Sequence, residues 1–440
     1  MKTDINKVSV TSDKMEKIIS LCKRRGFVFP GSEIYGGLQG FYDYGPLGVE
    51  MKNNLKKLWW QWMTRQHENI VGLDGAIITN PKVWEASGHL KSFVDPLVEC
   101  KKCHHRFKAD DLAEEMKKCP DCAGELTAPR MYNTLVPTEL GVIESEKTKA
   151  YLRGEACQTI YLNYKNVLNS TRGLKIPFGI CQIGKAFRNE VTPGNFLFRQ
   201  REFEQWDLQW FCHPDEMAKW FAYWKNERMN WYQAIFTHPE NLGFYEHEKL
   251  AHYAKKAFDI EYLASPIGKE MEGLHWRGDW DLSNHAKFSG EDLSYFDAEK
   301  NEKFVPHIVE TSGGVDRTFL FLLLDAYTEE EGRVVLKLNY KIAPYKVAVF
   351  PLLANKPQLV EKAKEIYNNL KKEFNVAWDE RGNIGKRYYS QDEIGTPFCV
   401  TIDFDSLEDK KVTIRDRDTM KQERVAVEDL HNYLTKVLSS

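Results

Sequence analysis

Apolar positions follow two periods along this chain. Met51, Leu55, Leu58, Trp59 and Trp62 stand at i, i+4, i+7, i+8 and i+11, the stripe of an amphipathic helix. Met217, Trp220, Phe221, Trp224, Trp231 and Ile235 mark a second long helix, and "MEKIISLCKRRGF" predicts a shorter one near the start. A period of two runs through "FRNEVTPGNFLFRQREFEQWDLQWF" at 187–211, which predicts two antiparallel strands around a Pro-Gly break. On the first strand Arg188 and Glu190 share a face. On the second, Arg199, Arg201, Phe203, Gln205 and Asp207 share one face, while Trp206, Leu208 and Trp210 take the other. "GAIITNP" predicts a strand ended by Pro81. From Lys341 strand-like and helix-like segments alternate: "YKVAVFPLL", "QLVEKAKEIYNNLKKEF", "NVAWD", "FCVTIDF", "KVTIRD". The expectation is an α+β body over 1–340 and a small α/β domain over 341–440.

Composition narrows the classes. With 440 residues, 42% of them hydrophobic, and 24 Phe, 20 Tyr and 12 Trp, the chain can bury large cores. A net charge of −3 excludes a polybasic nucleic-acid binder but leaves room for a local basic groove. No apolar run approaches the roughly 20 residues of a membrane span; the longest, "TFLFLLLDAY", meets Asp325. The opening "MKTDINKVSVTSDKMEK" lacks the apolar stretch of a signal peptide. Five of the nine cysteines (Cys22, Cys157, Cys181, Cys212, Cys399) are scattered, which suits a reducing cytosol. A soluble cytoplasmic protein without membrane contact is expected.

The other four cysteines form Cys100-x2-Cys103 and Cys119-x2-Cys122, with 15 residues between the pairs. Two such knuckles predict a four-thiolate zinc site in an insertion over about 98–127. Four protein ligands leave no open position, so the zinc would be structural; His104 or His105 could replace one ligand.

The charged face of 187–211 admits two readings. Guanidinium groups grip phosphates and a flat ring stacks on a base, so the face suits a nucleotide. The same charges could also belong to a salt-bridged surface hairpin. Phe187-Arg188-x-Glu190, a loop, then Arg199-x3-Phe203-x3-Asp207 resembles motif 2 of the class II aminoacyl-tRNA synthetases. "HIVETSGGVDRTFLFLLLDAY" at 307–327, with Gly313, Gly314 and Arg317, resembles motif 3, and 49–81 with Pro81 resembles motif 1. "GFYDYGPLGVEMKNNL", "NPKVWEASGHL", "ETSGGVDR" and "IGKRYYSQDEIGTPFCVTID" are similar to the homodimeric glycyl-tRNA synthetases, over about Gly26 to Arg424.

That resemblance implies a six-stranded antiparallel catalytic sheet with helices, a C-terminal anticodon-binding domain, and ATP, glycine, tRNA(Gly) and a second copy of the chain as partners. It implies Arg188 and Arg317 as catalytic. The ATP contacts would come from Arg188, Asn189, Glu190, Phe198, Arg199, Gln200, Arg201, Glu202, Phe203, Glu270, Met271, Gly314, Val315, Asp316 and Arg317. Arg188 would grip the α-phosphate, Phe203 and Arg317 sandwich the adenine, Arg199 lie near the γ-phosphate, and Glu190 accept from the adenine amino group. Mg2+ would accompany ATP, with Glu270 as a candidate ligand. Glycine would be held among Lys108, Glu155, Phe203, Glu204, Gln205, Trp206, Asp207, Glu310, Thr311, Ser312, Gly313 and Gly314. Lys108 stands where the family has arginine, Asp207 where Glu is commoner, "RGEACQT" where Arg-Pro-Glu-Thr-Ala-Gln is usual, and "EGLHWRGDWDL" where Gly-Ile-Ala-Asn-Arg is. Two rivals are a catalytically inactive synthetase-like accessory protein and a class II synthetase for another amino acid; Arg188, Arg199 and Arg317 all stand, against the first. Trp59, Trp60 and Trp62 are expected to leave aromatic surface for a dimer partner, and Arg415 and Arg417 to face the tRNA or their own fold.

Overall fold

The computed structural model describes residues 12–109, 112, 118–248, 250–251 and 254–439. The first eleven residues, part of the stretch from which the absence of a signal peptide was read, lie outside the described residues. Its centre is a seven-stranded sheet of β1 (Ile70–Gly72), β2 (Phe178–Phe187), β3 (Glu202–Cys212), β4 (Leu242–Glu246), β5 (Lys256–Tyr262), β6 (Glu270–Gly278) and β7 (His307–Gly314), in the order β4-β5-β6-β7-β3-β2-β1. Six strands are antiparallel, as expected. The seventh, β1, adds in parallel to the edge of β2.

One face of the sheet is closed by helices α1 (Ser12–Arg25), α2 (Pro46–Gln66), α3 (Met217–Ile235) and α4 (Val315–Ala326). Trp206, Leu208 and Trp210 enter that core from β3, as their alternation predicts. Removing such aromatic side chains from water dominates the packing, at about 25 cal/mol per Å² of apolar surface. On the opposite face, a helix over Cys157–Ser170 and another over Trp280–Ser289 cover only one end of β2 and β3, around Phe178 and Phe211. The end carrying Phe203 to Gln209 stays uncovered by helix and forms the floor of a cleft.

The structure departs from three expectations. Trp59 is buried and stacks on Trp206 with 5.7 Å between ring centroids, while Trp60 and Trp62 pack against the same core. Trp59 thus leaves no surface for a partner, and Trp60 and Trp62 are half-buried, so less aromatic surface stays open than the sequence suggests. In "GAIITNP" only Ile78–Thr79 pairs as a strand; Pro81 opens a helix over Pro81–Ala86, capped by the Asn80 side chain accepting from Lys82 N at 2.9 Å. Arg188 and Glu190 follow the end of β2 at Phe187 instead of lying within it, although Arg188 N still donates to Arg201 O at 2.9 Å.

Residues beyond Lys346 build a second sheet, β8 (Val347–Pro351), β9 (Val376–Trp378), β10 (Phe398–Ile402), β11 (Lys411–Asp416) and β12 (Gln422–Ala426), in the order β9-β8-β10-β11-β12. It has its own core with the helices Pro357–Leu370 and Leu430–Ser439. Arg415 and Arg417 do not face outward: they are 3% and 2% exposed. Arg415 holds Asp392 with both terminal nitrogens, at 2.8 and 2.9 Å, and Arg417 donates to Gly395 O and Leu338 O. Their surroundings supply carboxylates and carbonyls in the fork geometry a guanidinium needs, which leaves nothing for a phosphate.

Candidate active site

The register of the sheet sets side chains of the open face in rows across the strands. Asp207 pairs with Ser312, Ser312 with Gly273 and Gly273 with Asp259, one row from β3 to β5. Beside it, Gln209 pairs with Glu310 and Glu310 with His275. Above these rows two joined cavities share Ser92, Phe93, Arg188, Gln205, Glu270 and Ser312 as walls.

The larger cavity, about 460 Å³, is bounded by Lys108, Glu190, Phe198, Arg199, Gln200, Phe203, Glu204, Met271, Gly313, Gly314, Asp316 and Arg317 as well as the shared residues. Arg188 donates through Nε to Gly154 O at 3.0 Å, and its guanidinium lies 4.9 Å from the Phe93 ring and 5.3 Å from the Phe203 ring. Arg317 enters from the first turn of α4. It donates to Phe198 O at 3.0 Å, and its Nη1 meets Glu270 Oε1 at 3.0 Å. The Arg317 charge holds the Glu270 carboxyl below its usual range, outweighing burial. Asp316 and Glu204 are tied from behind: Lys52 of α2 reaches Asp316 Oδ1 at 2.6 Å and Glu204 Oε2 at 3.0 Å. Lys108 pairs with Asp95 at 2.6 Å.

The smaller cavity, about 360 Å³, is acidic and lined by Glu155, Asp207, Asp259 and Glu310 with His89, His247 and His275. His89 Nε2 meets Glu155 Oε1 at 3.0 Å. Burial alone would raise the Glu155 carboxyl, but the His89 and Arg277 charges hold it well below the usual range. Arg277 Nη1 donates to both oxygens of Glu310, at 3.1 and 2.9 Å. Against the cost of burial, Arg277 and His275 keep the Glu310 carboxyl down at about 2. Asp207 makes no such ion pair. It is fully buried, and its carboxyl accepts from Gln209 and Ser312. Burial and the Glu310 charge push its carboxyl well above the usual range.

Six expected residues stand outside both cavities. Trp206, Thr311 and Val315 are buried on the core side; Trp206 Nε1 donates to buried Glu272 at 2.9 Å. Alternation along β3 and β7 sends Trp206 and Thr311 there, since neighbours of inward residues point away, and Val315 opens α4 and packs into the same core. Glu202 pairs with Lys185 at 2.8 Å, Arg201 donates to Glu190 O, and Asn189 donates to the Tyr132 hydroxyl at 2.7 Å. Conversely, His89, Phe93, His247, Asp259, His275 and Arg277 were not anticipated. The alternation Gly273, His275, Arg277 is visible in the sequence, but only the strand register brings it beside Glu310.

The four sulfurs of Cys100, Cys103, Cys119 and Cys122 lie within 4.8 Å of one another, with Cys100–Cys122 at 3.5 Å and Cys103–Cys119 at 3.6 Å. A donor set of four thiols at this spacing fits a tetrahedral thiophilic ion. Among the described residues, no helix is long and apolar enough to cross a membrane.

Comparison with known proteins agrees with this geometry. Residues 141–327 match the core domain described as that of class II tRNA synthetases (G, H, P, S and T), and residues 346–437 match an anticodon binding domain. A glycine–tRNA ligase of Thermobifida fusca is 50% identical, covering 98% of this chain and 100% of its own length. One from Borreliella burgdorferi is 50% identical over 97% of this chain and 98% of its own. One from Treponema denticola is 52% identical over 93% and 94%. Half-identical over almost its entire length, with both domains matched, the chain belongs to the glycine–tRNA ligase family of class II aminoacyl-tRNA synthetases.

Proposed function

We propose that the two joined cavities divide the work of glycine–tRNA ligation, the larger taking ATP and the acidic one glycine. Glycine is activated with ATP to glycyl-adenylate, with pyrophosphate leaving, and is then passed to the 3′ end of tRNA(Gly). The observation that carries this division is Arg188, which stands in the wall common to both cavities. From there its guanidinium reaches the α-phosphate and the attacking carboxylate oxygen together, and favours the charge that builds between them. Phe203 and Arg317 hold the adenine, Arg199 the γ-phosphate and Glu190 the adenine amino group. Glu155, Asp207 and Glu310 receive the glycine ammonium. In transfer, the terminal ribose hydroxyl attacks the glycyl carbonyl carbon and AMP leaves. Mg2+ would supply charge neutralisation on the phosphates, with Glu270, which Arg317 already meets, as a candidate to hold it. Zn2+ would sit in the four-cysteine knuckle as a structural ion.

The unit that binds the anticodon is taken to begin near Lys341, with 1–340 as the catalytic domain. A homodimer is supported by the family resemblance and by Ile78, Leu140, Val142 and Ile143, which stand exposed on and beside a small sheet of 78–79, 136–140 and 148–152. Sedimentation at micromolar concentration reads it. None of the nine cysteines is in a disulfide, which suits the reducing cytoplasm.

Pyrophosphate exchange tests the division of labour. Wild-type protein should exchange label into ATP with glycine and poorly with alanine or serine. Arg188→Ala should lose that exchange and aminoacylation together, a cost on the order of 3 kcal/mol or more, while melting near the wild-type temperature. Retained exchange at full folding would return the hairpin to a salt-bridged surface.

A further inference from the structure

The acidic cavity has a feature that its charges do not explain. Two residues along β6 from Arg277, on the same face, His275 is paired in register with Glu310, and its Nδ1 lies 2.8 Å from Glu310 Oε2. Its ring also lies across Gly273. A Cβ at Gly273 would come within 2.6 Å of His275 Cε1, 3.3 Å of Nε2 and 3.4 Å of Nδ1. The ring therefore fills the place where a side chain at 273 would stand, in the row that runs from Asp207 through Ser312 to Asp259. Glu310, its anchor, is itself fixed by Arg277 and by Gln209 Nε2 at 2.9 Å. An imidazole held this close to a buried carboxylate cannot swing aside without giving up that contact.

We propose that the His275 ring is the wall that keeps amino acids larger than glycine out of this pocket. The inference rests on the reading that the acidic cavity takes glycine. With the ammonium among Glu155, Asp207 and Glu310 and the carboxylate at Arg188, the α-carbon lies above the Ser312–Gly273 pair. A methyl group added there on the β6 side meets the ring. Glycine offers no side chain to hold, so selection depends on such an obstruction, and an obstruction that is pinned rejects more strongly than one that yields. His247 Nε2 lies 2.8 Å from Asp259, the residue at the end of that row on β5.

Three variants separate a wall from a counter-charge. His275→Ala opens the space and removes the contact to Glu310. His275→Asn opens the space and keeps a hydrogen-bond donor for Glu310. His275→Phe keeps a ring and removes the donor. The readout is the ratio of kcat/KM for alanine to that for glycine in pyrophosphate exchange, taken on one preparation so that the folded fraction cancels. The expected result is a ratio raised about tenfold or more in His275→Ala and His275→Asn, and close to wild type in His275→Phe. An unchanged ratio in the first two, with glycine still activated, overturns the proposal, as does a His275→Phe ratio as high as that of His275→Ala. Loss of glycine exchange in all three, with wild-type melting, would make His275 part of the substrate-holding machinery and equally overturn the wall. A wild-type protein that fails to activate glycine would instead overturn the underlying reading of the cavity.

Discussion

Asp207 is the carboxylate of the acidic cavity that makes no ion pair among the described residues, while His89 meets Glu155 and Arg277 meets Glu310. A buried acid in that position holds its proton more tightly than a free one. If the acidic cavity takes glycine as proposed, a proton and the glycine ammonium compete for the same carboxylate. As pH falls, Asp207 is more fully protonated and the glycine KM should rise, with the ATP KM steady. Asp207→Asn should raise the glycine KM about tenfold or more, the worth of a charge-assisted contact, and flatten that pH dependence; a wild-type slope in the variant counts against Asp207 as the acceptor. The sequence made Asp207 legible because Arg199, Phe203 and Asp207 keep one parity along the chain. It did not make His275 legible, because no local period links it to Glu310 across two strands. Trp206 and Thr311 stand on the core side for a related reason: a motif is contiguous in sequence, but a strand sends alternate members to opposite faces.

At the scale of elements, the helical stripes of α2 and α3 and the pairing of β2 with β3 follow from their periods, whereas β1 does not. It has three residues, too few for a pattern, and joins the sheet in parallel because the chain after α2 returns along the edge of β2. The metal knuckle lies between these extremes. Its spacing singled out the four cysteines, and the fold brings the two pairs together beside three short strands, Val94–Glu99, Arg106–Lys108 and Arg130–Asn133. A metal bound only by the folded form would contribute directly to the stability of this region. Elemental analysis should find about one zinc per chain, and replacing Cys119 and Cys122 with serine should remove it. Because Lys108 lines the ATP-side cavity from this insertion, the same change should also weaken substrate binding, while the core tryptophans keep their packing. A metal-free wild type with full activity would show that the knuckle stands without an ion.

In the whole molecule, a buried carboxylate fastens the last sheet to the catalytic body. Asp392, fully buried at the end of the helix Ile384–Asp392, receives two hydrogen bonds from Arg415 of β11. Its Oδ2 also accepts from Arg333 at 2.8 Å, and Arg333 belongs to a hairpin strand, Arg333–Leu336, that follows α4. Arg333 donates in turn to Arg417 O at 2.9 Å, and Arg417 reaches back to Leu338 O at 2.9 Å. Around this centre Arg24 pairs with Glu393 at 2.6 Å and Arg25 donates to Ser390, so α1 is tied to the same helix. Three guanidinium groups and one carboxylate out of water are tolerated only while each keeps its partners. Arg415→Ala leaves Asp392 with one cation instead of two, in a site water cannot reach. The expected loss is about 3 kcal/mol or more, seen as a lower melting temperature. Were Arg415 a tRNA contact, its removal would spare pyrophosphate exchange and weaken transfer to tRNA, increasingly so at high salt. As a buried fastening, its removal should lower exchange and transfer together, in step with the folded fraction, and without added salt sensitivity. Exchange, aminoacylation at two salt concentrations and thermal melting of one Arg415→Ala preparation decide between these; intact melting with selective loss of transfer would place the residue on the tRNA surface after all.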